Sequence, residues 1–308
     1  MGEIAVVFPG QGSQRAGMAQ DFHEAFAAAR EVFAEASEAL SLDVAELCFA
    51  GDPRLDLTEF TQPAIVTAEI AMLRAISSEW GLAPTRFGGH SLGEYTALSA
   101  AGVMTLADVL RLTRARGALM QDAVPVGEGA MSAVIAAGVA DAGVAALVAA
   151  LGVDVANLNS LDQVVISGPT AGVEAAEKRI AEALPSAEVI RLNVSAPFHS
   201  RLMKGIEPAF RAELERAAGR MDAARATRVT SNFTGGFHSE SLPSVLDALT
   251  AQISGSVNWV ANMRVLADGA ERIVEIGPNR PLKRFFGTLG VEITSIMNVK
   301  TAKKGLEG

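Results

Sequence analysis

Ser91 stands between two glycines, in Gly89-His90-Ser91-Leu92-Gly93, at the spacing a nucleophile turn between a strand and a helix requires. On so tight a bend the hydroxyl stands clear of the sheet. A side chain two positions to either side would strike neighbouring backbone. With a base in reach, such a serine does nucleophilic chemistry; without one, the segment is a glycine-rich turn with a solvated hydroxyl. Four histidines are available: His23, His90, His199 and His238. His90 adjoins Ser91, where side chains on a sharp turn diverge. His23 lies in an amphipathic stretch that reads as surface or packing. His199 and His238 both follow the serine, the chain order of α/β-type serine hydrolases. His199 is the favoured base because it lies at a seam between subdomains, where substrate sites gather. His238, in Thr234-Gly235-Gly236-Phe237-His238, is the alternative. No carboxylate stands out as a third member, and a backbone carbonyl suffices to accept the proton of the second ring nitrogen. No histidine–carboxylate cluster has ligand spacing, so no metal is expected.

The elements that must hold these residues read as an α/β chain. Ile4-Ala5-Val6-Val7-Phe8 is a buried strand, broken by Pro9-Gly10-Gln11-Gly12-Ser13-Gln14. Gly10 and Gly12 begin a dinucleotide fingerprint, but Arg15 stands where its third glycine belongs. Exposed amides in that loop remain open to an anion. Thr85-Arg86-Phe87-Gly88 is a poor strand ahead of Ser91. Glu94 to Ala101 reads as a helix stopped by Gly102, and the Leu92 amide at its start can point at an oxyanion. Residues 20–40 and 61–80 read as helices, with Pro63 near the start of the second. On a helix from Thr105 to Ala123, Leu106, Val109, Leu110, Thr113, Gly117 and Met120 form one face. Arg116 then lies ~70° from the centre of that face, at the border of the core.

Past Pro125 the pattern becomes strand, helix, strand, strand, helix, strand. It runs through 131–135, 141–151, 153–156, 163–167, 170–184 (capped by Thr170) and 188–192. That is the order of a ferredoxin-like unit, expected at residues 126–194 as an insertion in a larger domain of residues 1–125 and 195–308. Helices follow near 201–219 and 241–254, then strands at 272–278 and 293–297, and residues 300–308 read as a loose tail.

At 308 residues the chain can bury about 75% of its unfolded surface. Net charge is −9, which disfavours non-specific nucleic-acid binding. Cys48 is the only cysteine, so neither an intramolecular disulfide nor a cysteine metal cluster is available. No apolar run reaches membrane-spanning length, and Met1-Gly2-Glu3 carries no basic leader, so a cytoplasmic protein off the membrane is expected.

Six segments together resemble malonyl-CoA:acyl carrier protein transacylases. They are Phe8-Pro9-Gly10-Gln11-Gly12-Ser13-Gln14, Gly89 to Tyr95, Arg114 to Met120, Asn157-Leu158-Asn159-Ser160 with Gln163 to Gly168, Ser195 to Ser200, and Glu275-Ile276-Gly277-Pro278. They span nearly the whole chain in the expected order. The resemblance implies an α/β-hydrolase-like large domain with an inserted ferredoxin-like subdomain. It makes Ser91 the nucleophile and His199 its base, with the backbone amides of Gln11 and Leu92 as the oxyanion hole. Arg116 would hold the free carboxylate of malonyl, with His90 and Phe198 at the substrate. Gln252 would orient His199 through its carbonyl, with Asn159 also beside that histidine. Residues 250–259 and Ser231 to Gly235 look closer to free-standing acyltransferases of polyketide synthases. The implied partners are malonyl-CoA and holo acyl carrier protein, with no cofactor, for a monomeric enzyme of fatty-acid or polyketide synthesis. Carrier proteins of this type are acidic, and Arg201, Lys204, Lys283 and Arg284 are candidates for a local basic patch. An acyl-thioester hydrolase on the same fold is the alternative, and Arg116 is the residue that discriminates the two.

Overall fold

The computed structural model describes residues 2–307. Met1 and Gly308 lie outside the described residues. They close the expected range at either end, and Met1 also opens the segment read for a leader.

Two sheets organise the chain. The first holds β1 (Glu3–Phe8), β2 (Arg86–Gly89), β7 (Ala270–Ile276) and β8 (Thr294–Ile296), all parallel, in the order β2-β1-β7-β8. From Ile4 to Phe8, β1 is apolar on both faces because both faces are covered. Val6, Phe8, Val274 and Ile276 enter one core. Ala5, Val7 and Ile273 enter the other, with Trp259, Met263 and Phe286. The second sheet joins β3 (Gly129–Ile135), β4 (Asp154–Ser160), β5 (Gln163–Pro169) and β6 (Glu188–Arg191), antiparallel, in the order β4-β5-β3-β6. Its own core contains Val134, Val148, Val164, Ile166, Val173 and Ile180.

The helices are α1 (Gln20–Ala25), α2 (Ala27–Leu40), α3 (Val44–Phe49), α4 (Thr58–Trp80), α5 (Gly93–Ala100), α6 (Leu106–Asp122), α7 (Val144–Val148), α8 (Thr170–Ala183), α9 (Glu207–Ala218), α10 (Leu242–Ala251), α11 (Trp259–Ala267), α12 (Pro281–Gly287) and α13 (Val299–Leu306). No helix among the described residues is long and apolar enough to cross a membrane.

Several local readings need correction. Residues 86–89 are a true strand despite two glycines. Pairing with β1 and burial outweigh weak propensity there. The helix expected over 20–40 is two, broken at Phe26, whose φ of −125° is extended. Pro63 lies more than a turn inside α4, where its missing N–H leaves the Glu59 carbonyl without its helical donor. The stretch 141–151 is one short α-helix flanked by 3₁₀ turns. Thr170 is the first residue of α8 rather than its cap, and its hydroxyl donates to Gly127 O at 2.7 Å. The expected loose tail is α13, started by a capping box of Asn298 and Thr301. Val299 N donates to Asp21 Oδ2 at 2.6 Å and ties α13 to the body. Helices α3, α11 and α12 had no counterpart in the sequence reading.

One consequence of register positions the site. Phe8 pairs with Gly89, so the loop after β1 and the turn after β2 leave the sheet side by side at the strands' carboxyl ends. His90 N donates to Phe8 O at 3.0 Å across that junction. The second sheet docks beside it, where Val257 N donates to Ala156 O at 2.8 Å and Leu158 N to Val257 O at 2.9 Å.

Candidate active site

Between β2 and α5 the chain turns in three residues, His90, Ser91 and Leu92. A Cβ on Gly89 would lie 2.0 Å from the Gly93 carbonyl, and one on Gly93 would lie 2.2 Å from Phe8 O. Neither position admits a side chain. Ser91 has φ +51°, and His199 has φ +54°. A non-glycine residue held there costs of order 1–3 kcal/mol, so surrounding contacts must impose it. For Ser91 those contacts come from Asn232. Its Oδ1 accepts from Ser91 N at 2.6 Å, and its Nδ2 donates to Gly89 O at 2.8 Å and Asn262 Oδ1 at 2.9 Å.

The strain brings Ser91 Oγ within 2.6 Å of His199 Nε2. His199 Nδ1 lies 2.9 Å from Gln252 O. A carbonyl only accepts, so the ring proton sits on Nδ1 and Nε2 is left to accept from the serine hydroxyl. His199 is 4% exposed. Burial first, and then the Arg116 charge, push its pKa down to about 3, so the ring is neutral at neutral pH and its Nε2 lone pair is free to accept a proton.

Arg116 comes from α6, whose register is set by Thr105 Oγ1 accepting from Asp108 N at 3.1 Å. It is 2% exposed, deeper than its helical angle alone implies, because Gln62 of α4 and the Tyr95 ring close over it. It donates to Gln62 Oε1 at 3.0 Å, Gln252 Oε1 at 3.1 Å and Ser91 Oγ at 3.3 Å. Burial lowers its pKa, yet a guanidinium keeps its charge. Its Nε–H is buried with no acceptor among the described residues, and all its partners are neutral. A buried guanidinium surrounded by neutral amides and a hydroxyl is suited to an anionic ligand, and its planar fork matches a carboxylate.

The Leu92 amide directly precedes α5, where N–H groups have no helical partner. Neither it nor the Gln11 amide has a hydrogen-bond acceptor among the described residues. Gln11 extends the same polar row. Its Nε2 donates to Thr58 Oγ1 at 3.2 Å and its Oε1 accepts from Gln62 Nε2 at 3.4 Å, while Thr58 Oγ1 meets Ser195 Oγ at 3.0 Å.

Other expected residues sit differently. Asn159, on β4, makes no hydrogen bond to His199; its Oδ1 is 2.7 Å from His90 Nε2 and its Nδ2 donates to Gln163 Oε1 at 3.1 Å. His90 packs against Trp259 and Phe285, with centroids 5.8 and 6.3 Å away. Half-buried Phe198 packs against the large core beside His199. His23 lies between Phe33 and Phe49, as a packing residue. His238 does not reach Ser91; its Nε2 meets Glu94 Oε1 at 2.8 Å. In the expected basic patch, Arg201 is paired with Asp154 at 2.6 Å and Lys204 with Glu207 at 2.7 Å. Lys283 and Arg284 are exposed on α12, the helix whose Phe285 touches His90.

Sequence reasoning missed Asn232, Gln62 and Glu94. Glu94 had a readable signal: one carboxylate in the otherwise uncharged run Gly93–Ala100. Asn232 and Gln62 had none, since amides are common in loops and helices.

The acyl transferase domain family matches residues 5–268. Malonyl CoA-acyl carrier protein transacylase of Escherichia coli K12 is 39% identical over 299 residues, 94% of each chain. The Bacillus subtilis strain 168 protein of that name is 39% identical over 92% of this chain and 89% of its own. The crystal structure of FabD from Acinetobacter baumannii is 40% identical with a TM-score of 0.91, covering 99% of this chain and 97% of that one. A malonyl-transacylase in complex with its type II PKS acyl-carrier protein is 33% identical with a TM-score of 0.88, covering 99% of each chain. A family model over most of the chain, and relatives 39% and 40% identical over more than nine-tenths of it, show that the chain belongs to the acyl transferase family, among the malonyl CoA-acyl carrier protein transacylases.

Proposed function

We infer that the protein transfers a malonyl group from malonyl-CoA to the phosphopantetheine thiol of an acyl carrier protein, through a malonyl-serine intermediate. The observation that carries this reading is Ser91 Oγ held at once by neutral His199, at 2.6 Å, and by the buried Arg116, at 3.3 Å. Ser91 Oγ attacks the thioester carbonyl while His199 Nε2 takes its proton. The tetrahedral oxyanion is met by the amides of Gln11 and Leu92. Collapse breaks the C–S bond, and coenzyme A leaves with the proton from His199. The carrier thiol then gives its proton to His199 and attacks the malonyl-serine ester. A second oxyanion forms in the same hole, and the serine leaves with that proton. Arg116 holds the malonyl carboxylate, with His90 and Phe198 lining the acyl site. Gln252 keeps the His199 tautomer through its carbonyl, and Asn159 orients His90.

The same reading takes the chain as an α/β-hydrolase-like domain, residues 1–125 and 195–308, with a ferredoxin-like subdomain at 126–194. The β4-β5-β3-β6 order, with α7 and α8 as crossovers, supports that description. The enzyme needs no cofactor, and we take it to act as a cytoplasmic monomer.

The test is a two-stage mass measurement. Mixing with malonyl-CoA alone adds malonyl to the peptide that carries Ser91, and adding holo carrier protein moves that mass onto the carrier. Loss of the label to free malonate at the same rate with and without carrier favours the hydrolase instead.

The pH dependence follows from His199. Its depressed pKa keeps the base neutral below the ordinary histidine range. Malonyl-CoA kcat/KM therefore stays flat from about pH 8 down to about pH 5.5. An acid limb near the unperturbed histidine value of about 6.5 would contradict a buried, neutral base.

A further inference from the structure

His238 and Glu94 form a buried pair under the nucleophile turn that none of the steps above uses. Their side chains are 1% and 0% exposed, and His238 Nε2 lies 2.8 Å from Glu94 Oε1. The other carboxylate oxygen, Oε2, accepts from Asn232 N at 3.0 Å and from Gln252 Nε2 at 2.7 Å. These two partners are the residues that hold the reacting pair. Asn232 accepts the Ser91 amide at 2.6 Å, and the Gln252 carbonyl holds His199 Nδ1 at 2.9 Å. Gln252 Nε2 also donates to Ser91 O at 3.1 Å.

Asn232 and His238 come from one short hairpin. Thr230 bridges Phe237, Ser231 N donates to Gly236 O at 2.7 Å, and His238 N donates to Val229 O at 2.9 Å. The hairpin thus grips Glu94 at two points, while Gln252, at the end of α10, grips it at a third. A carboxylate accepts only, so three donors converging on it fix its orientation without competition. Gln252 also joins Glu94 to Arg116, since its Oε1 accepts from Arg116 Nη2 at 3.1 Å. A buried carboxyl group therefore faces the buried guanidinium across one amide.

We propose that Glu94 is a positioning residue for both Ser91 and His199, acting through Asn232 and Gln252, and that His238 locks Glu94 in place. This rests on the Ser91–His199 reading. Glu94→Gln keeps the shape but replaces one acceptor oxygen with a donor. His238→Leu removes the lock. His238→Gln restores a donor where the ring Nε2 stood.

The probe is an uncharged fluorophosphonate ester, which reacts with an activated serine and makes no use of Arg116 as a carboxylate site. Labelled protein is counted by mass, so the fraction of reactive serines and the rate per reactive serine are read separately. Relative to wild type, the rate per serine falls about 100-fold in Glu94→Gln and about 10-fold in His238→Leu, the scale of a misplaced reacting group. His238→Gln returns to within about 3-fold of wild type. The labelled fraction, and KM for malonyl-CoA, stay near the wild-type values. If Glu94→Gln labels at the wild-type rate per serine, or loses only the labelled fraction, Glu94 is structural and the proposal falls. If wild-type Ser91 takes no label, the nucleophile reading fails first and this proposal goes with it.

Discussion

Ser91→Ala abolishes the malonyl-enzyme, and transfer to carrier protein falls on the order of 10⁴-fold or more, the scale of removing a nucleophile from a catalytic unit. The fold survives, because the turn is held by Asn232 through the backbone amide of residue 91 and the close glycine contacts are unchanged. The measurement is intact mass after mixing with malonyl-CoA, with a melting curve beside it. A variant that melts like wild type and still gains malonyl mass removes Ser91 from its role. His199→Ala slows acylation by a similar order, since it removes the one imidazole hydrogen-bonded to Ser91 Oγ among the described residues. His238→Ala, three hydrogen bonds away through Glu94 and Asn232, costs far less. If His238→Ala is the slow variant and His199→Ala is not, His199 is not the base.

Arg116→Ala changes which acyl group is taken. Malonyl carries a carboxylate and acetyl does not. A hydrogen bond to a charged group contributes about 1.5–3 kcal/mol, so malonyl kcat/KM falls about 10–150-fold. Acetyl loading and hydrolysis hold or rise, because the carboxylate no longer anchors the acyl chain away from water. The truncation also strips a donor from Gln62 Oε1 and Gln252 Oε1 and empties volume beside Tyr95. Some stability is lost on that account. Arg116→Lys separates the effects: it keeps charge and stem but not the planar fork, and still loses malonyl selectivity. Steady-state rates with malonyl-CoA and acetyl-CoA, with and without carrier protein, decide the point. Equal losses for both substrates in both variants make Arg116 a structural residue.

What lay in the sequence was local. The glycines around Ser91, the alternation of the second sheet's strands and helices, and the apolar face of α6 are patterns over a few residues. They sufficed for the tight turn at Ser91 and for the βαββαβ element order of residues 129–191, but placed Arg116 at the edge of the core, where the structure buries it. They failed where neighbours overrode propensity: β2 is a strand because β1 pairs with it, and residues 299–306 are a helix docked on Asp21. The resemblance supplied further roles, and the structure corrected one of them by carrying Asn159 to His90 rather than His199.

The site itself is made of long-range contacts. Ser91 and His199 are 108 residues apart, His199 and the Gln252 carbonyl 53, and Arg116 and the Gln252 side chain 136. No periodicity spans such distances. The order of residues by itself determined that a tight Gly-x-Ser-x-Gly turn, an arginine on α6 and histidines later in the chain were present. Only the packing decided that His199 serves the serine while His238 serves Glu94. The β1–β2 register brings the two loops together, the second sheet returns the chain at residue 199, and the 229–238 hairpin folds under the turn. The physical reason is directional: a hydrogen bond forms within about 3 Å, and only the assembled core holds two distant side chains that close.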